Sequence, residues 1–127
     1  MASYRIYLVD DDRFLLDMYA VKFRNAGHDV TAFQSPDEAL AALKKEKAPD
    51  AVLLDVVMPG MTGFEMLQKV RDEKLAEATK FIILSNQGQD ADLDKAKELS
   101  AAGYVVKASA IPSEVYSQTI SIIEKQP

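Results

Sequence analysis

The 127-residue chain contains no cysteine, no tryptophan and a single histidine. Without thiols there are no disulfides, thiolate metal sites or cysteine nucleophiles. Basic residues are the minority, 15 Lys and Arg against 20 Asp and Glu, for a net charge of −5. Binding nucleic acid as a main task needs a basic patch, and this balance argues against direct nucleic-acid binding. No apolar run approaches the roughly 20 residues needed to span a bilayer. The opening "MASYRIYLVDDD" meets charge after a very short apolar run, unlike a signal peptide. The expectation is a cytoplasmic protein that does not engage a membrane. Gly and Pro are few, 5 each, and there is no repeat or low-complexity tract. The 48% hydrophobic content suits one ordinary core, so a single domain over residues 1–127 is expected.

What is present is an alternation. Short apolar runs at "RIYLV", "VTAF", "AVLL", "FIIL" and "YVV" are each followed by a helix-like stretch. That alternation implies βαβ units and a parallel sheet. Ser35, Pro36 and Glu38 form a helix start with a capping box, and Thr62 with Glu65 repeats the box. Gly27 and Gly103 suit left-handed helix C-caps, and Asp12 suits an N-cap. Pro112 can open a last helix with Val115, Thr119, Ile122 and Ile123 on one face. "YLV", "VLL" and "IIL" are apolar throughout, as strands covered on both faces should be, whereas "HDVTAF" is mixed and fits an edge. The fold class is α/β, a doubly wound five-stranded parallel sheet in the order 2-1-3-4-5, flavodoxin-like and flanked by five helices.

Each apolar strand runs into polar residues: Asp10, Asp11 and Asp12 after the first, Asp55 at the third, Ser85 and Asn86 at the fourth, Lys107 at the fifth. Parallel strands place all these ends along one sheet edge, with the switch point between strands 1 and 3. Asp10, Asp11 and Asp55 should therefore meet there, with Ser85 and Lys107 converging from the other side. Like charges about 4 Å apart cost on the order of 4 kcal/mol per pair at an effective dielectric of 20. Lys107 offsets one charge, and Mg²⁺, a hard cation that retains several waters, suits the remainder. A carboxylate beside Mg²⁺, a lysine and a hydroxyl meets the needs of phosphoryl transfer, with Asp55 as nucleophile.

Taken together, "YLVDDD", "LLDVVMPGMTGFE", "ILSNQG" and "GYVVKA" resemble the receiver domains of two-component response regulators over nearly the whole chain. The resemblance implies that Asp55 is phosphorylated from a phosphohistidine on a sensor kinase or phosphotransfer protein. It implies Asp11 as a direct Mg²⁺ ligand, Asp10 through water, and the Val57 backbone carbonyl as a further ligand. Lys107 would pair with the phosphoryl group, Ser85 would be the switch hydroxyl, and Tyr104 the aromatic coupled to it. The face of helix 4, strand 5 and helix 5 would then alter its affinity for a downstream target or fused output domain, as a monomer or a phosphorylation-dependent homodimer. Such a domain is a phospho-acceptor assisting its own phosphorylation and dephosphorylation, not an enzyme acting on a separate substrate.

Three residues depart from that pattern. Ala108 stands where most receivers carry a cis proline, implying a trans, rearranged loop. Asn86 is larger than the usual small residue and narrows the path to Asp55. Val57 has no polar side chain to orient an attacking water, so a long-lived phosphoryl group is expected unless Gln87 supplies the contact. Asp10 and Asp12 also fit the D-x-D spacing of haloacid-dehalogenase-type phosphatases, a reading that leaves Asp55 unexplained. A pseudo-receiver would lack the acids present here, and a flavin protein would need a phosphate loop after strand 1. His28 is expected at the surface, the acidic run "QDADLDKAKEL" as a solvated helix face, and Met58, Met61 and Met66 in loop and core packing.

Overall fold

The computed structural model describes residues 3–85, 90–107 and 111–125. Strands β1 (Arg5–Val9), β2 (Asp29–Phe33), β3 (Ala51–Asp55), β4 (Lys80–Ser85) and β5 (Gly103–Val106) alternate with helices α1 (Arg13–Asn25), α2 (Pro36–Lys45), α3 (Gly63–Asp72), α4 (Asp90–Glu98) and α5 (Pro112–Glu124). All strand pairs are parallel, and the order is β2-β1-β3-β4-β5. This is the order expected from one mixed edge strand among continuously apolar ones.

Alternating strand residues divide the core between the two faces of the sheet. Tyr7, Val9, Val52, Leu54, Phe81 and Ile83 pack against α2, α3 and the buried Ala96 and Leu99 at α4. Ile6, Leu8, Leu53, Ile82, Leu84 and Val105 pack against α1 and α5. Every residue of β3 is buried, including its terminal Asp55.

Capping follows the sequence in most places. Asp12 accepts from the Leu15 N–H at 3.1 Å and opens α1. Ser35 accepts from the Glu38 N–H at 3.2 Å, the forward half of a capping box. The reciprocal form is made at α3, where Glu65 also accepts from the Thr62 N–H at 2.8 Å. Gly27 has φ +95°, as a left-handed cap requires.

Two expectations are corrected. Gly103 is not a helix cap but the first residue of β5, and the left-handed position after α4 falls on Ser100, φ 58°. At Gly103 the constraint is space: a Cβ there would lie 2.6 Å from Ile122 Cδ1 of α5. His28 is buried rather than at the surface, enclosed by Tyr4, Phe23 and Tyr116. The methionines follow expectation, with Met58 and Met66 buried and Met61 packed against the core.

Candidate functional site

Strand register brings the site together. Val9 pairs with Leu54, so Asp10 and Asp55 stand side by side one step further on. Asp55 pairs with Leu84 and Ser85 with Val106, which places Lys107 at the end of the same row. Four residues spread over nearly the whole sequence thus share one sheet edge.

The geometry within that row is tight. Lys107 Nζ lies 3.1 Å from Asp55 Oδ1 and 3.2 Å from Asp10 Oδ2, with the lysine side chain only 8% exposed. The second oxygen of Asp10 accepts from the Asp12 N–H at 2.9 Å, fixing the carboxylate between β1 and the first turn of α1. Asp10, Asp11 and Asp55 can each present a carboxylate oxygen within 4.8 Å of the others, with Asp10 and Asp55 buried and Asp11 exposed. An all-oxygen donor set of this charge fits a hard divalent cation held partly by water.

Burial pushes the Asp55 carboxyl up to about 7; the Asp10 charge adds to this, and Lys107 opposes it. Asp10 is also raised by burial, against the Asp12 N–H and Lys107. Burial works to lower the Lys107 ammonium, but the Asp10 and Asp55 charges outweigh it and raise the group. One lysine therefore does not fully compensate the carboxylates around it.

The turn after β3 is built around glycine. A Cβ on Gly63 would sit 2.2 Å from the Asp55 carbonyl oxygen, so only glycine lets α3 abut the end of β3. The Gly63 N–H donates to the Val56 carbonyl at 2.8 Å, and Gly60 has φ +82°. Among the described residues no backbone N–H donates to the Val57 carbonyl, while its side chain is exposed. On the other flank Ser85 is buried at the end of β4. The Tyr104 hydroxyl is raised by burial, offset by a hydrogen bond with Ser85 and reinforced by Asp92 of α4. Ser85 and Tyr104, the two residues singled out as a switch pair, are thus in contact. Asn86, Gln87 and Ala108 lie outside the described residues.

Asp12 caps α1 with its carboxylate, so the D-x-D reading has lost one of its two acids to a structural role. One feature escaped the sequence reading. Phe14, Met18 and Val21 are exposed on α1 while Leu16, Tyr19, Ala20 and Phe23 are buried, giving the helix a second apolar stripe. With Pro112 they line a shallow open groove, and exposed Ile111 precedes that proline. Apolar residues at positions 14, 18 and 21, spaced by four and three, were the available signal.

Three acids and a lysine thus stand on one strand-end edge of a doubly wound parallel sheet. The sequence model of the response regulator receiver domain matches residues 6–115, and the chain belongs to that family. It is 31% identical over 123 residues to the alkaline phosphatase synthesis transcriptional regulatory protein PhoP of Bacillus subtilis, covering 95% of this chain and 49% of that one. It is 29% identical over 119 residues to protein PilH of Pseudomonas aeruginosa, covering 94% and 96% of the two chains. The chain thus spans about half the length of the first and nearly all of the second. Among solved structures, chemotaxis protein CheY4 of Vibrio cholerae superposes with a TM-score of 0.85 at 27% identity, covering 95% of this chain and 99% of that one. No helix among the described residues is long and apolar enough to cross a membrane.

Proposed function

We propose that this domain is a phosphorylation switch in which Asp55 accepts a phosphoryl group from a phosphohistidine donor. The observation that carries this reading is the pairing of buried Asp55 with Lys107 and Asp10, beside a third acid, at the strand-end edge. An Asp55 oxygen attacks phosphorus in line as the P–N bond of the donor breaks, the electron pair leaving with the imidazole nitrogen. Lys107 already stands where it can exchange a carboxylate contact for a phosphoryl oxygen, and Ser85 supplies a hydroxyl from the neighbouring strand.

Asp11, Asp55 and the Val57 carbonyl are the groups that would hold Mg²⁺, with Asp10 acting through water. Bound there, the ion supplies the positive charge that the carboxylates and incoming phosphoryl oxygens lack. The domain acts as a phospho-acceptor that assists its own loading and unloading rather than as an enzyme with a separate substrate.

Engagement of Ser85 by the phosphoryl group competes with its bond to Tyr104, releasing the ring and altering the α4-β5-α5 face. Differential binding of roughly 1–3 kcal/mol on that face changes partner affinity about 5- to 150-fold. The readers of this state are a downstream target or a fused output domain, with homodimerisation as a further mode. The phosphohistidine donor, a sensor kinase or phosphotransfer protein, docks on the apolar stripe of α1, whose first turn follows directly from Asp11 and Asp12. We place the whole chain, as one such domain, in the cytoplasm.

Incubation with phosphoramidate and Mg²⁺ followed by peptide mapping tests the assignment. One phosphoryl group on the peptide carrying Asp55 is expected. Phosphate on another residue, or a label independent of Mg²⁺, contradicts it.

A further inference from the structure

One acid of α4 faces inward. Asp92, Ala96 and Leu99 recur at spacings of four and three, a single stripe of a helix, and Ala96 and Leu99 are buried against the sheet. Asp92 is half-buried at the head of that stripe, where it borders a groove with Phe64 and Gln68 of α3. No ion pair among the described residues engages it. The sheet beneath belongs to β4 and β5. Tyr104 pairs with Ile83, and Ser85, two residues further along β4, projects from the same face. Tyr104 packs against this half of the core, and its hydroxyl is hydrogen-bonded to both Asp92 and Ser85.

The carboxylate fixes the direction of this chain of hydrogen bonds. A carboxylate only accepts, and a phenol has one proton. Tyr104 therefore donates to Asp92, and its oxygen is left to accept from the Ser85 hydroxyl. The one proton of Ser85 is thereby committed to Tyr104 and is unavailable to a phosphoryl oxygen on Asp55. Without Asp92 the phenol is free to donate to Ser85 instead, and the serine proton is released.

We propose that Asp92 is a positioning residue that holds the Tyr104 phenol on Ser85 and thereby restrains the switch. This role rests on the phospho-acceptor reading of Asp55 and supplies the group that opposes switching. Loading of Asp55 draws the Ser85 proton to a phosphoryl oxygen, after which Asp92 alone retains the ring. An acid in the first turn of a helix also interacts favourably with the helix dipole, but that effect does not depend on the Tyr104 hydroxyl.

A double-mutant cycle on loading by acetyl phosphate separates the two roles. Asp92→Ala, Tyr104→Phe and the pair would be followed by intact mass over time in saturating Mg²⁺. Asp92→Ala should speed loading at least about fivefold. Tyr104→Phe should do so comparably, and the double variant should gain nothing further. In the unloaded proteins, cross-relaxation NMR between the Tyr104 ring and the Ser85 β-protons reads the contact itself. That cross-peak should weaken in Asp92→Ala and persist in Asp92→Asn, whose side-chain oxygen still accepts from the phenol. Unchanged or slower loading in Asp92→Ala, the same effect of Asp92→Ala with and without the Tyr104 hydroxyl, or a cross-peak that is undiminished in Asp92→Ala or lost equally in Asp92→Asn would each overturn the proposal. A native chain that takes up no phosphoryl group would remove the phospho-acceptor reading and the restraint with it, while the cross-peaks would still report the Asp92 contact.

Discussion

Lys107 Nζ lies 3.1 Å from Asp55 Oδ1, and both side chains are almost fully enclosed, 8% and 4% exposed. A buried ion pair of this kind is weak evidence for stability on its own, because desolvation consumes much of the attraction. Here the pair is also unbalanced, since the same ammonium serves Asp10 at 3.2 Å. The fold holds the excess negative charge in place by strand register. That stored excess is what a cation or a phosphoryl group with its own counter-ion can relieve.

The imbalance has a sign in pH. The Asp55 carboxyl rises from an ordinary 3.8 to about 7 through burial, aided by Asp10. Between those values the folded state holds a proton that the unfolded chain has lost, so stability falls as pH rises and levels off above about 7. Asp10 shifts in the same direction. In metal-free buffer, urea denaturation should show stability declining by roughly a few kcal/mol from pH 4.5 to 8. Asp55→Asn should flatten most of that slope, and saturating Mg²⁺ should raise stability at pH 8 in native protein far more than in the variant.

Removing Lys107 strands two buried carboxylates. Lys107→Met should destabilise the metal-free protein at pH 7.5 by about 3 kcal/mol. Adding Asp55→Asn to the same chain should recover a large part of that loss, a coupling that a double-mutant cycle measures. Additive effects would show that the two groups do not sense each other.

Gly63→Ala probes the packing of α3 on the site. The added methyl meets the Asp55 carbonyl oxygen at 2.2 Å, a backbone atom that cannot swing aside. A loss of about 2 kcal/mol or more is expected in thermal unfolding, with a fall in Mg²⁺ affinity because the end of β3 must shift. An unchanged Tm would show that the turn absorbs the methyl elsewhere.

Tyr7 offers a contrast. Its buried hydroxyl has no hydrogen-bond partner among the described residues, while its ring packs edge-on to Phe33 at 5.0 Å. Tyr7→Phe keeps the ring and discards the unpaired group, so stability should be unchanged or higher by up to about 1–2 kcal/mol. Destabilisation would reveal a partner for the hydroxyl.

The docking proposed for the apolar stripe on α1 predicts that donor binding and chemistry can be separated. Phe14 is 72% exposed and Phe14→Asp should leave stability nearly unchanged. Transfer from a phosphohistidine protein should slow at least about tenfold, while loading from acetyl phosphate should stay the same. Equal slowing with both donors would place Phe14 in the chemistry instead of the docking surface.

The alternation of apolar runs with capped helices was enough to read the strand order and hence the convergence of Asp10, Asp11, Asp55, Ser85 and Lys107. Those inferences rest on local patterns and one topological rule. What remained hidden depends on partners distant in sequence. His28 resembled a surface residue because its cage comes from residues 4, 23 and 116, which no local window contains. Gly103 looked like a cap because glycine so often ends helices, yet its real constraint is Ile122 of α5. The exposed stripe of α1 was masked by an equally apolar buried face, since periodicity reveals that a helix is apolar on a face but not which face is covered.

Whether Asp55 is the phospho-acceptor is read by intact-mass spectrometry after incubation with acetyl phosphate, run with Mg²⁺, with chelator, and on Asp55→Asn. The expected result is one phosphoryl adduct on the native chain in Mg²⁺, none with chelator and none on the variant. An adduct that persists in Asp55→Asn or without metal, or no adduct on a folded, Mg²⁺-binding native chain, would contradict the assignment of Asp55 as the Mg²⁺-assisted phospho-acceptor.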